Sequence, residues 1–257
     1  MNVKAKKHLG QHFLTDENIA KKIVEGLDFQ PYQYVLEVGP GTGVLTKYLL
    51  EKPTETYVAE IDTESIEYLK LHFQKLENKH FTGDFLKISL NDIFSGEVAI
   101  IGNFPYNISS QILFKIIENY QQIPEMVGMF QKEVAERTAA VPRTKDYGIL
   151  SVLVQAYYDV KYLFTVHENV FNPPPKVKSG VIKLTRNRKE GLEGNEILFK
   201  QIVKTGFGQR RKKLSNALKS LDIPEVLKSH AFMDKRAEEL SVEDFINFTK
   251  EWKAAKN

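Results

Sequence analysis

Cysteine is absent from the 257 residues of the chain. Without thiols, the protein cannot form disulfides, thiolate zinc sites or cysteine-bound iron–sulfur clusters. The absence also excludes enzymes that attack through a cysteine nucleophile and radical chemistry on a cysteine-held cluster. Any catalytic group must therefore come from another residue type.

Long apolar runs are also missing. No stretch approaches the ~20 apolar residues that a membrane-spanning helix needs. The N-terminus, MNVKAKKHLGQHFL, starts basic but lacks the apolar segment of a secretory signal. We therefore expect a cytoplasmic protein without a membrane partner. The length and the 42% hydrophobic content predict one large domain, or one domain with a small appendage.

A strong overall charge is missing too, since the formal net charge is only +3. The charges are nevertheless unevenly placed. Residues 1–13 carry three lysines and no acid, and residues 186–219 carry ten basic and three acidic residues, so the rest of the chain is acidic. Two basic segments on an acidic body favour a polyanion as partner. A solvated helix face, the commoner meaning of a charge run, stays open as an alternative.

Short apolar runs alternate with helix-length segments over most of the first 186 residues. The runs that predict strands are Tyr34–Val38, Tyr57–Ile61, Val98–Gly102, Met126–Phe130, Tyr162–Val166 and Gly180–Leu184, with His80–Gly83 a weaker one. Strands separated by helices form parallel sheets. Only proline-rich sequence separates the last two, which predicts an antiparallel hairpin. The expected fold class is α/β, with a Rossmann-like, mostly parallel sheet and one reversed edge strand.

A change of composition near residue 188 divides the chain. Asn187–Asn195 contains two glycines and many charges but little apolar content, and we interpret it as a linker. Beyond it the apolar spacing is only helical. The sequence thus predicts a sheet domain at residues 1–188 and a small all-helical domain at residues 189–257. Apolar spacing resumes at Leu214 directly after the basic residues 210–213, which favours one helix with a basic end.

A predicted strand enters a glycine-rich turn at residues 34–43, as at the ligand sites of open α/β sheets. Gly39, Gly41 and Gly43 let the backbone approach a ligand closely. Alone this signal is weak, because dinucleotide enzymes have a similar turn. Two details favour S-adenosylmethionine (SAM): the third glycine of the dinucleotide pattern is absent, and acids that would repel a pyrophosphate follow the strands. These acids are Glu37, Glu60, Asp62 and Asp84.

Two of the acids have specific predicted contacts. Glu60 closes the second strand, 17 positions after Gly43, where a carboxylate can accept both ribose hydroxyls. Asp84 follows the third strand and can accept from the adenine amino group of the cofactor. For each acid the alternative is a solvated loop carboxylate, and for Asp62 the two interpretations are balanced.

The most specific motif is Asn103-Phe104-Pro105-Tyr106, which follows an apolar strand. The exocyclic amine of adenine is a poor nucleophile because its lone pair is delocalised into the ring. The Asn103 side-chain oxygen and the Phe104 carbonyl can hold both N–H bonds and aim the nitrogen at a methyl group. Pro105 fixes the turn, and Tyr106 offers a ring on which an extruded base stacks. A plain β-turn is the alternative.

At these motifs the chain resembles the ribosomal RNA adenine dimethyltransferases. The resemblance covers most of the sequence. It is carried by residues 7–14, 37–43, 60–62, 83–84, 103–106, 131–135, 147–148, 171–177 and 207–212. The last two blocks are more similar to the housekeeping KsgA/RsmA branch of the family than to the Erm resistance branch.

The resemblance implies roles for individual residues. His12 and Leu14 line the cofactor pocket, and Phe171 faces Tyr106 across the target adenine, although Phe171 could instead be a packing residue. The implied SAM contacts are Gly39, Gly41, Glu60, Asp84 and Asn103. The implied contacts to RNA phosphates are Lys7, Arg210, Arg211 and Lys212.

The implied substrate is a pair of adjacent adenosines in a hairpin loop near the 3′ end of small-subunit rRNA. Each adenosine is methylated twice, within a pre-ribosomal small subunit late in its biogenesis. Three alternatives stay open. They are Erm-like methylation of large-subunit rRNA, an assembly factor that acts mainly by binding, and a DNA or protein amino-methyltransferase, which more often has a second proline at position 104.

Two residues depart from the family pattern, which usually has Asn at the position of His12 and Leu at that of Phe104. His12 can still form a hydrogen bond, and Phe104 contributes mainly its carbonyl. His8 and His12 have the spacing of a metal pair on a helix, but Gly10 between them argues against a helix. We therefore expect no metal, and we take a monomer as the default.

Overall fold

The computed structural model describes residues 3–256. The strands are β1 (Phe13–Leu14), β2 (Tyr34–Val38), β3 (Glu55–Ala59), β4 (Val98–Asn103), β5 (Glu125–Gln131), β6 (Tyr158–Val166), β7 (Phe171–Asn172) and β8 (Ser179–Arg186). The α-helices are α1 (Glu17–Val24), α2 (Thr46–Leu49), α3 (Thr63–His72), α4 (Leu90–Ile93), α5 (Ser109–Glu118), α6 (Lys132–Ala139), α7 (Ile149–Gln155), α8 (Glu196–Gly208), α9 (Leu214–Ala217) and α10 (Val242–Ala254). Short 3-10 helices are Lys7–Leu9, Asn78–His80, Tyr106–Ile108, Glu168–Val170, Glu225–Leu227, Ala231–Asp234 and Ala237–Glu239.

Six strands form one sheet in the order β3-β2-β4-β5-β8-β6. β2 pairs in parallel with β3 and β4, and β4 pairs in parallel with β5. β8 pairs antiparallel with β5 along the whole length of β5, from Gln131↔Ser179 to Glu125↔Thr185. The predicted α/β class, with a mostly parallel sheet and one reversed strand, is therefore confirmed.

The two strands predicted as an edge pair, β6 and β8, are neighbours at one edge of the sheet, with the reversed strand β8 on the inner side. β8 lies between β5 and β6, so β6 forms the edge. Burial explains this order. Residues 179–182 of β8 are buried, whereas β6 is mostly exposed or half-buried between its ends. A strand buried on both faces belongs inside a sheet, and a more polar strand belongs at its edge.

The weaker prediction, of a strand at His80–Gly83, is wrong. The backbone there makes a single parallel bridge, between Val58 and Phe81. His80 ends a 3-10 helix, in which its Nδ1 accepts a hydrogen bond from Glu77 N at 2.9 Å. Gly83 then turns the chain with a φ of 82°. Local turn geometry therefore outweighs the short apolar pattern.

The core beside the sheet joins α1 to the central strands. Asp16 caps α1 by accepting hydrogen bonds from the backbone N–H groups of Asn18 and Ile19. The buried cluster beneath this helix includes Leu14, Ala20, Ile23, Val24, Val35, Ile101, Val127 and Phe171. This packing holds β2 and β4 in place, and the functional loops follow both strands.

The described chain forms two compact units. The first comprises the chain up to Glu136 together with Val160–Arg186, and it contains the sheet. The second comprises Arg137–Asp159 and the chain from Asn187 onward. The sequence-based division at residue 188 differs by leaving Arg137–Asp159 in the sheet domain. That segment has the local pattern of one more helix between two strands, so no composition change marks it.

In the second unit α8 packs against α7, α9 and α10. α8 ends at Gly208 and α9 begins at Leu214, so the predicted single helix with a basic end is wrong. The basic residues 210–213 instead lie in the turn between the helices, which Lys212 N closes by donating to Gln209 O at 2.8 Å. Within residues 3–256, no helix has the length and apolarity to cross a membrane.

Candidate active site

A pocket lies at the carboxyl ends of β2, β3 and β4, where ligands of open α/β sheets bind. The cavity has a volume of about 80 Å³ and opens to solvent. Five separate segments of the chain supply the walls. The lining residues are 9–13, 38, 39, 41, 59–61, 83–86, 103–106 and 108.

The glycine-rich turn brings the backbone to the pocket wall. Gly39 and Gly41 have φ values of 70° and 56°, which residues with a Cβ rarely adopt. A Cβ at Gly41 would in addition lie 2.7 Å from the ring of Phe13. The close approach of this turn to the pocket therefore requires glycine at both positions.

Glu60 is the carboxylate that the structure orients most firmly in the pocket. Its Oε1 accepts from the backbone N–H groups of Ile61 and Asp62 at 2.8 and 2.9 Å, and its Oε2 accepts from Gly41 N at 3.2 Å. Burial raises the pKa of Glu60, while these three N–H groups oppose the increase. Since a carboxylate has about four acceptor positions, Glu60 can still accept from a ligand hydroxyl.

Glu37 is fully buried in β2 and has a different character. Its Oε2 accepts from Thr46 Oγ1 at 2.6 Å. Burial raises the pKa of Glu37 to about 8, the Thr46 hydrogen bond opposes the increase, and the charge on Glu60 adds to it. Glu37 is therefore mostly protonated at pH 7. It does not belong with the anions that attract a cationic cofactor, because its charge is suppressed by burial.

The substitution Glu37→Gln is expected to change how stability depends on pH. The folded pKa of about 8 lies above the unfolded value near 4.5, so wild-type stability falls as pH rises from about 4.5 to 8. The E37Q variant lacks this titration. We expect equal stability at pH 5 and a gain of about 2–4 kcal/mol over wild type at pH 8. Urea unfolding at both pH values measures the free energy of unfolding of the variant and of wild type. The exposed substitution Glu51→Gln is the control. Parallel pH profiles would contradict the expectation.

Asp62 holds the N-terminal segment and does not line the pocket. It caps α3 by accepting from Glu64 N at 3.2 Å and from Ser65 Oγ at 3.1 Å. It also forms an ion pair with Lys6 and accepts from Gln11 Nε2 at 3.1 Å. Burial raises the pKa of Asp62, but the hydrogen bonds outweigh burial and keep the pKa below its usual value. These contacts make Asp62 a structural residue.

Asp84 borders the pocket directly after Gly83. Its Oδ1 accepts from Leu86 N at 3.0 Å, and its Oδ2 lies 3.4 Å from Nζ of the exposed Lys87. The adjacent wall is apolar, since Phe85 and Ile61 both line it. The pocket thus offers an acid beside apolar surface, which suits a planar heterocycle that carries an amino group.

Contacts with β5 fix the turn that follows β4. Phe104 N donates to Met129 O at 3.1 Å and continues the parallel pairing beyond the strand. The Phe104 ring is fully buried, 4.8 Å from the ring of Phe130, and fills the space beside Gly102 and Gly128. A Cβ at Gly128 would lie only 2.0 Å from that ring. The side chain of Phe104 therefore serves the core, and its backbone faces the pocket.

Asn103 ends β4 with its amide oriented by the N-terminal segment. Its Nδ2 donates to the backbone carbonyl of His12 at 2.8 Å. Because a carbonyl only accepts, the amide nitrogen must face His12, and Oδ1 is left for another partner. Among the residues that the structure describes, neither Asn103 Oδ1 nor the Phe104 carbonyl accepts a hydrogen bond. Two unused acceptors therefore lie on adjacent residues of the pocket wall.

Tyr106 is half-buried, and two contacts restrain its ring. Its hydroxyl shares a hydrogen bond of 2.5 Å with Ser179 Oγ. The ring of His12 stacks on it, with 5.5 Å between centroids and 29° between planes. His12 Nδ1 donates in turn to the carbonyl of Pro173 at 2.8 Å. Burial raises the pKa of Tyr106 and the Ser179 hydrogen bond opposes it, so the phenol stays protonated at neutral pH.

Leu14 and Phe171, for which the resemblance implies a place in the site, are both buried. They face each other across the antiparallel pair β1–β7, and each is at least 96% buried in the cluster beside α1. Leu14 borders a small cavity that Gly39 and Asn103 also line, and Phe171 does not line the main pocket. The structure supports the packing alternative for Phe171, because burial stabilises its large apolar ring there. The ring beside Tyr106 is that of His12.

Several pocket residues were not anticipated from the sequence. Gln11, Phe85 and Ile108 line the wall, and Ser179 reaches Tyr106 from another strand. Of the pocket residues, Ile61 could have been predicted from the sequence. A large apolar side chain next to a predicted ligand carboxylate, here 55% exposed, indicates apolar contact with the same ligand.

The four predicted phosphate contacts differ in availability. Lys7 is exposed on its 3-10 helix. Arg210 is half-buried, with Nε 2.5 Å from Glu238 Oε2 and Nη2 donating to a backbone carbonyl at 3.1 Å. Arg211 and Lys212 are exposed in the turn between α8 and α9, and no described acid pairs with either. The guanidinium of Arg210 therefore holds the turn together, while its two neighbours face solvent.

Residues 3–256 contain no group of three or more histidine, aspartate or glutamate side chains placed to hold a metal ion. His8 and His12 do not share a helix face. Gly10 between them has a φ of 67°, and the ring of His12 is turned toward Tyr106.

The model of one protein family, described as ribosomal RNA adenine dimethylase, matches residues 2–254. This chain belongs to that family. A relative from Flavobacterium johnsoniae, named ribosomal RNA small subunit methyltransferase A, is 58% identical over 253 residues, which is 98% of this chain and 97% of the relative. The protein is therefore a methyltransferase, and the pocket with its Asn103 turn is the candidate active site of a dimethylase.

Two solved structures are similar to this dimethylase over nearly the whole chain. A dimethyladenosine transferase from Plasmodium falciparum has a TM-score of 0.83 and 26% identity, covering 95% of this chain and 98% of that one. The 23S rRNA methyltransferase ErmE has a TM-score of 0.68 and 25% identity, covering 94% and 99%. The fold is thus nearer to the dimethyladenosine transferase than to ErmE.

A dimethylase needs a methyl donor, and the donor set of the pocket fits SAM. Glu60 and Asp84 supply oxygen acceptors, and Gly39 and Gly41 allow a close backbone approach. Carboxylate side chains favour a sulfonium and an ammonium over a pyrophosphate. The residues present therefore suit a cationic nucleoside better than a dinucleotide.

Proposed function

We propose that this dimethylase transfers methyl groups from SAM to the N6 amines of two adjacent adenosines in a hairpin loop near the 3′ end of small-subunit rRNA. Each adenosine receives two methyl groups, late in the assembly of the subunit. The observation that carries the proposal is the pair of unused acceptors, Asn103 Oδ1 and the Phe104 carbonyl, in the pocket wall. The names of the relatives support the small subunit, and their bacterial origin supports a cytoplasmic location.

Bound SAM would supply an electrophilic methyl group. Glu60 would accept the ribose hydroxyls, Asp84 would accept from the adenine amino group, and the turn at Gly39 and Gly41 would lie against the rest of the cofactor. Ile61 and Phe85 would pack on the heterocycle. The side chain of Asn103 would contact both the cofactor and the target amine.

The reactive turn would act on the target amine by position and electrostatics. Asn103 Oδ1 and the Phe104 carbonyl each accept one N–H, which draws the lone pair out of conjugation and aims it at the methyl group. No strong base is required, because the nitrogen becomes positively charged on methylation and then releases its proton to water. The methylated amine keeps one N–H, so one acceptor still orients it for the second transfer. The ring of Tyr106 stacks the extruded base.

Methylation of precursor subunits tests the proposal. Small subunits from a strain that lacks the orthologous enzyme are incubated with labelled SAM and the purified protein. We expect two adjacent N6,N6-dimethyladenosines near the 3′ end of the rRNA, located by mass spectrometry of nuclease fragments. Absence of dimethyladenosine from the rRNA would overturn the proposal. Already methylated subunits serve as control and should accept no label.

Erm-like methylation of large-subunit rRNA is the competing enzyme function. The likeness to ErmE covers the chain, but at a lower TM-score than the likeness to the dimethyladenosine transferase. Expression in a macrolide-sensitive strain separates the two functions. We expect no resistance, because the large subunit is not the proposed substrate.

An assembly role that depends on binding is compatible with the exposed cations of the second unit. Arg211 and Lys212 have no described acidic partner and lie on one turn. The protein would then remain on the precursor subunit and delay its maturation. A methylation-deficient variant that still restores normal subunit maturation would show that binding is sufficient.

The double substitution Arg211→Ala/Lys212→Ala is expected to weaken binding to precursor subunits and to flatten its salt dependence. Each lost phosphate contact reduces the slope of log K against log salt by about one. Binding is measured between 50 and 200 mM salt, and Lys21→Ala/Lys22→Ala on α1 is the matched control with an unchanged slope. Arg210→Ala should instead lower stability, because Arg210 is tied to Glu238. An unchanged slope in the first variant would argue against phosphate contacts there.

A further inference from the structure

Ser179 lies outside the sequence motifs of the site, yet its Oγ is 2.5 Å from the hydroxyl of Tyr106. Ser179 is the first residue of β8 and is fully buried. We propose that Ser179 is a positioning residue, whose hydrogen bond holds the Tyr106 ring in the orientation in which a target adenine stacks on it. This inference rests on the proposed function, because it takes Tyr106 as the platform for the base.

The topology of the sheet explains why a residue so distant in sequence reaches the active site. β4 and β5 run in parallel, with Asn103 opposite Met129, and end at the same edge of the sheet. β8 runs the other way, with Ser179 opposite Gln131, so it begins where β5 ends. Tyr106 follows the end of β4 and contacts the start of β8, which lies beyond β5. The reversed strand thus supplies the anchor.

The anchor itself is firmly held. Ser179 pairs with Gln131, and next to it Lys132 N donates to Lys178 O at 2.9 Å. Gly180 is so tightly packed that a Cβ there would lie 2.7 Å from the Cβ of Ala135. A hydrogen bond to a buried and immobile hydroxyl restrains its partner more than one to a mobile surface group.

The second restraint on the ring comes from His12, which stacks on one face of Tyr106. His12 occupies part of that face, so we expect a base to stack on the opposite face. With its hydroxyl bonded and one face packed, the ring is oriented before the RNA arrives. Binding then loses less conformational entropy, and the adenine meets a platform with a defined plane.

A double-mutant cycle tests the proposal on precursor subunits. Ser179→Ala removes one oxygen atom, and Tyr106→Phe removes the other partner of the bond. We expect each variant to lower kcat/KM about three- to tenfold, the effect of one net hydrogen bond. The change should fall mainly on KM for the subunit, with KM for SAM unchanged. Because both variants delete the same bond, the double variant should be no worse than either single one.

Ser151→Ala is the matched control, because Ser151 is also fully buried and its hydroxyl donates to a backbone carbonyl at 2.6 Å. It should lower stability without changing KM for the subunit. Ser179→Cys, which keeps the shape but donates weakly, should fall between wild type and Ser179→Ala. Multiplicative effects of Ser179→Ala and Tyr106→Phe, or wild-type KM in Ser179→Ala, would overturn the proposal.

A measurement without RNA separates this inference from the proposed function. NMR scalar couplings across the Cα–Cβ bond of Tyr106, assigned with Tyr106→Phe, report how many χ1 rotamers the ring populates. We expect one rotamer in wild type and in Ser151→Ala, and an average over several rotamers in Ser179→Ala. Equal couplings in Ser179→Ala and wild type would show that the Ser179 hydroxyl is no anchor. A single rotamer in a protein that methylates no rRNA adenosine would instead contradict the proposed function.

Discussion

Asn103→Ala should lower kcat for methyl transfer to precursor subunits by about a thousandfold, the size of effect seen when one preorganised polar group is removed from a transition-state site. Asn103 Oδ1 and the Phe104 carbonyl both lack a hydrogen-bond donor among the described residues, and alanine leaves only the Phe104 carbonyl of this pair. The lone pair of the amine would then stay in conjugation, and the nitrogen would no longer be oriented toward the methyl group. Single-turnover methylation with labelled SAM at saturating subunit measures the chemical step directly.

Two further substitutions make this result specific. Asn103→Asp keeps an acceptor oxygen but loses the donor to the His12 carbonyl, so it should retain more activity than Asn103→Ala. Asn107→Ala removes an exposed amide from the adjacent 3-10 helix and should change kcat less than threefold. If the Asp and Ala variants were equally inactive, the anchoring of the N-terminal segment, and not the acceptor, would be the role of Asn103.

The same Asn103 illustrates which parts of the site can be predicted from a sequence. Its place after an apolar strand, next to a proline and a tyrosine, is a local pattern, and so are Gly39, Gly41 and Glu60. Each depends on residues only a few positions apart, because strand ends and tight turns are local structures. The fold class followed for the same reason. Apolar runs separated by helices dictate a parallel sheet, and the structure has one.

The remaining features depend on contacts between residues far apart in the chain. Ser179 reaches Tyr106 across 73 positions, and Lys6 reaches Asp62 across 56. No local pattern encodes either pair. Phe171 was implied in the site by resemblance, but its burial against Leu14 depends on how β1 and β7 pair. The protonation of Glu37 likewise follows from burial on all sides, which a linear charge count does not show.

At the opposite end of the sheet a buried ion pair gives the largest expected effect on stability. Glu125, at the start of β5, is 3% exposed, and its Oε1 lies 2.6 Å from Lys183 Nζ. Tyr32 donates to Glu125 Oε2 at 2.6 Å, and Lys183 also lies 2.7 Å from Asp28 Oδ1. Burial lowers the pKa of Lys183, but its bonds to Asp28 and Glu125 outweigh burial and raise the pKa above its usual value. Lys183 is therefore charged at neutral pH.

Lys183→Met should destabilise the fold by about 3–5 kcal/mol, because it leaves the carboxylate of Glu125 buried without a counter-ion. The expected decrease in Tm is about 10 °C. The stabilisation that Lys183 gives is present at pH 7 and is lost only as pH rises through its elevated pKa. Urea unfolding and thermal melts at pH 7 measure the loss. Lys79→Ala, which breaks an exposed pair with Glu55, is the control and should cost at most about 1 kcal/mol.

Adding Glu125→Gln to Lys183→Met decides between two causes of that loss. If the loss comes from an unpaired buried charge, neutralising Glu125 restores much of the stability, because a buried pair contributes little beyond balancing its own desolvation. If the loss comes from the packing of the lysine stem, the second substitution restores nothing and the proposed cause is wrong. Methylation per folded molecule should stay at the wild-type level in both variants. The ion pair between Lys183 and Glu125 lies near the start of β5, whereas Asn103 and Tyr106 lie at the carboxyl end of the sheet.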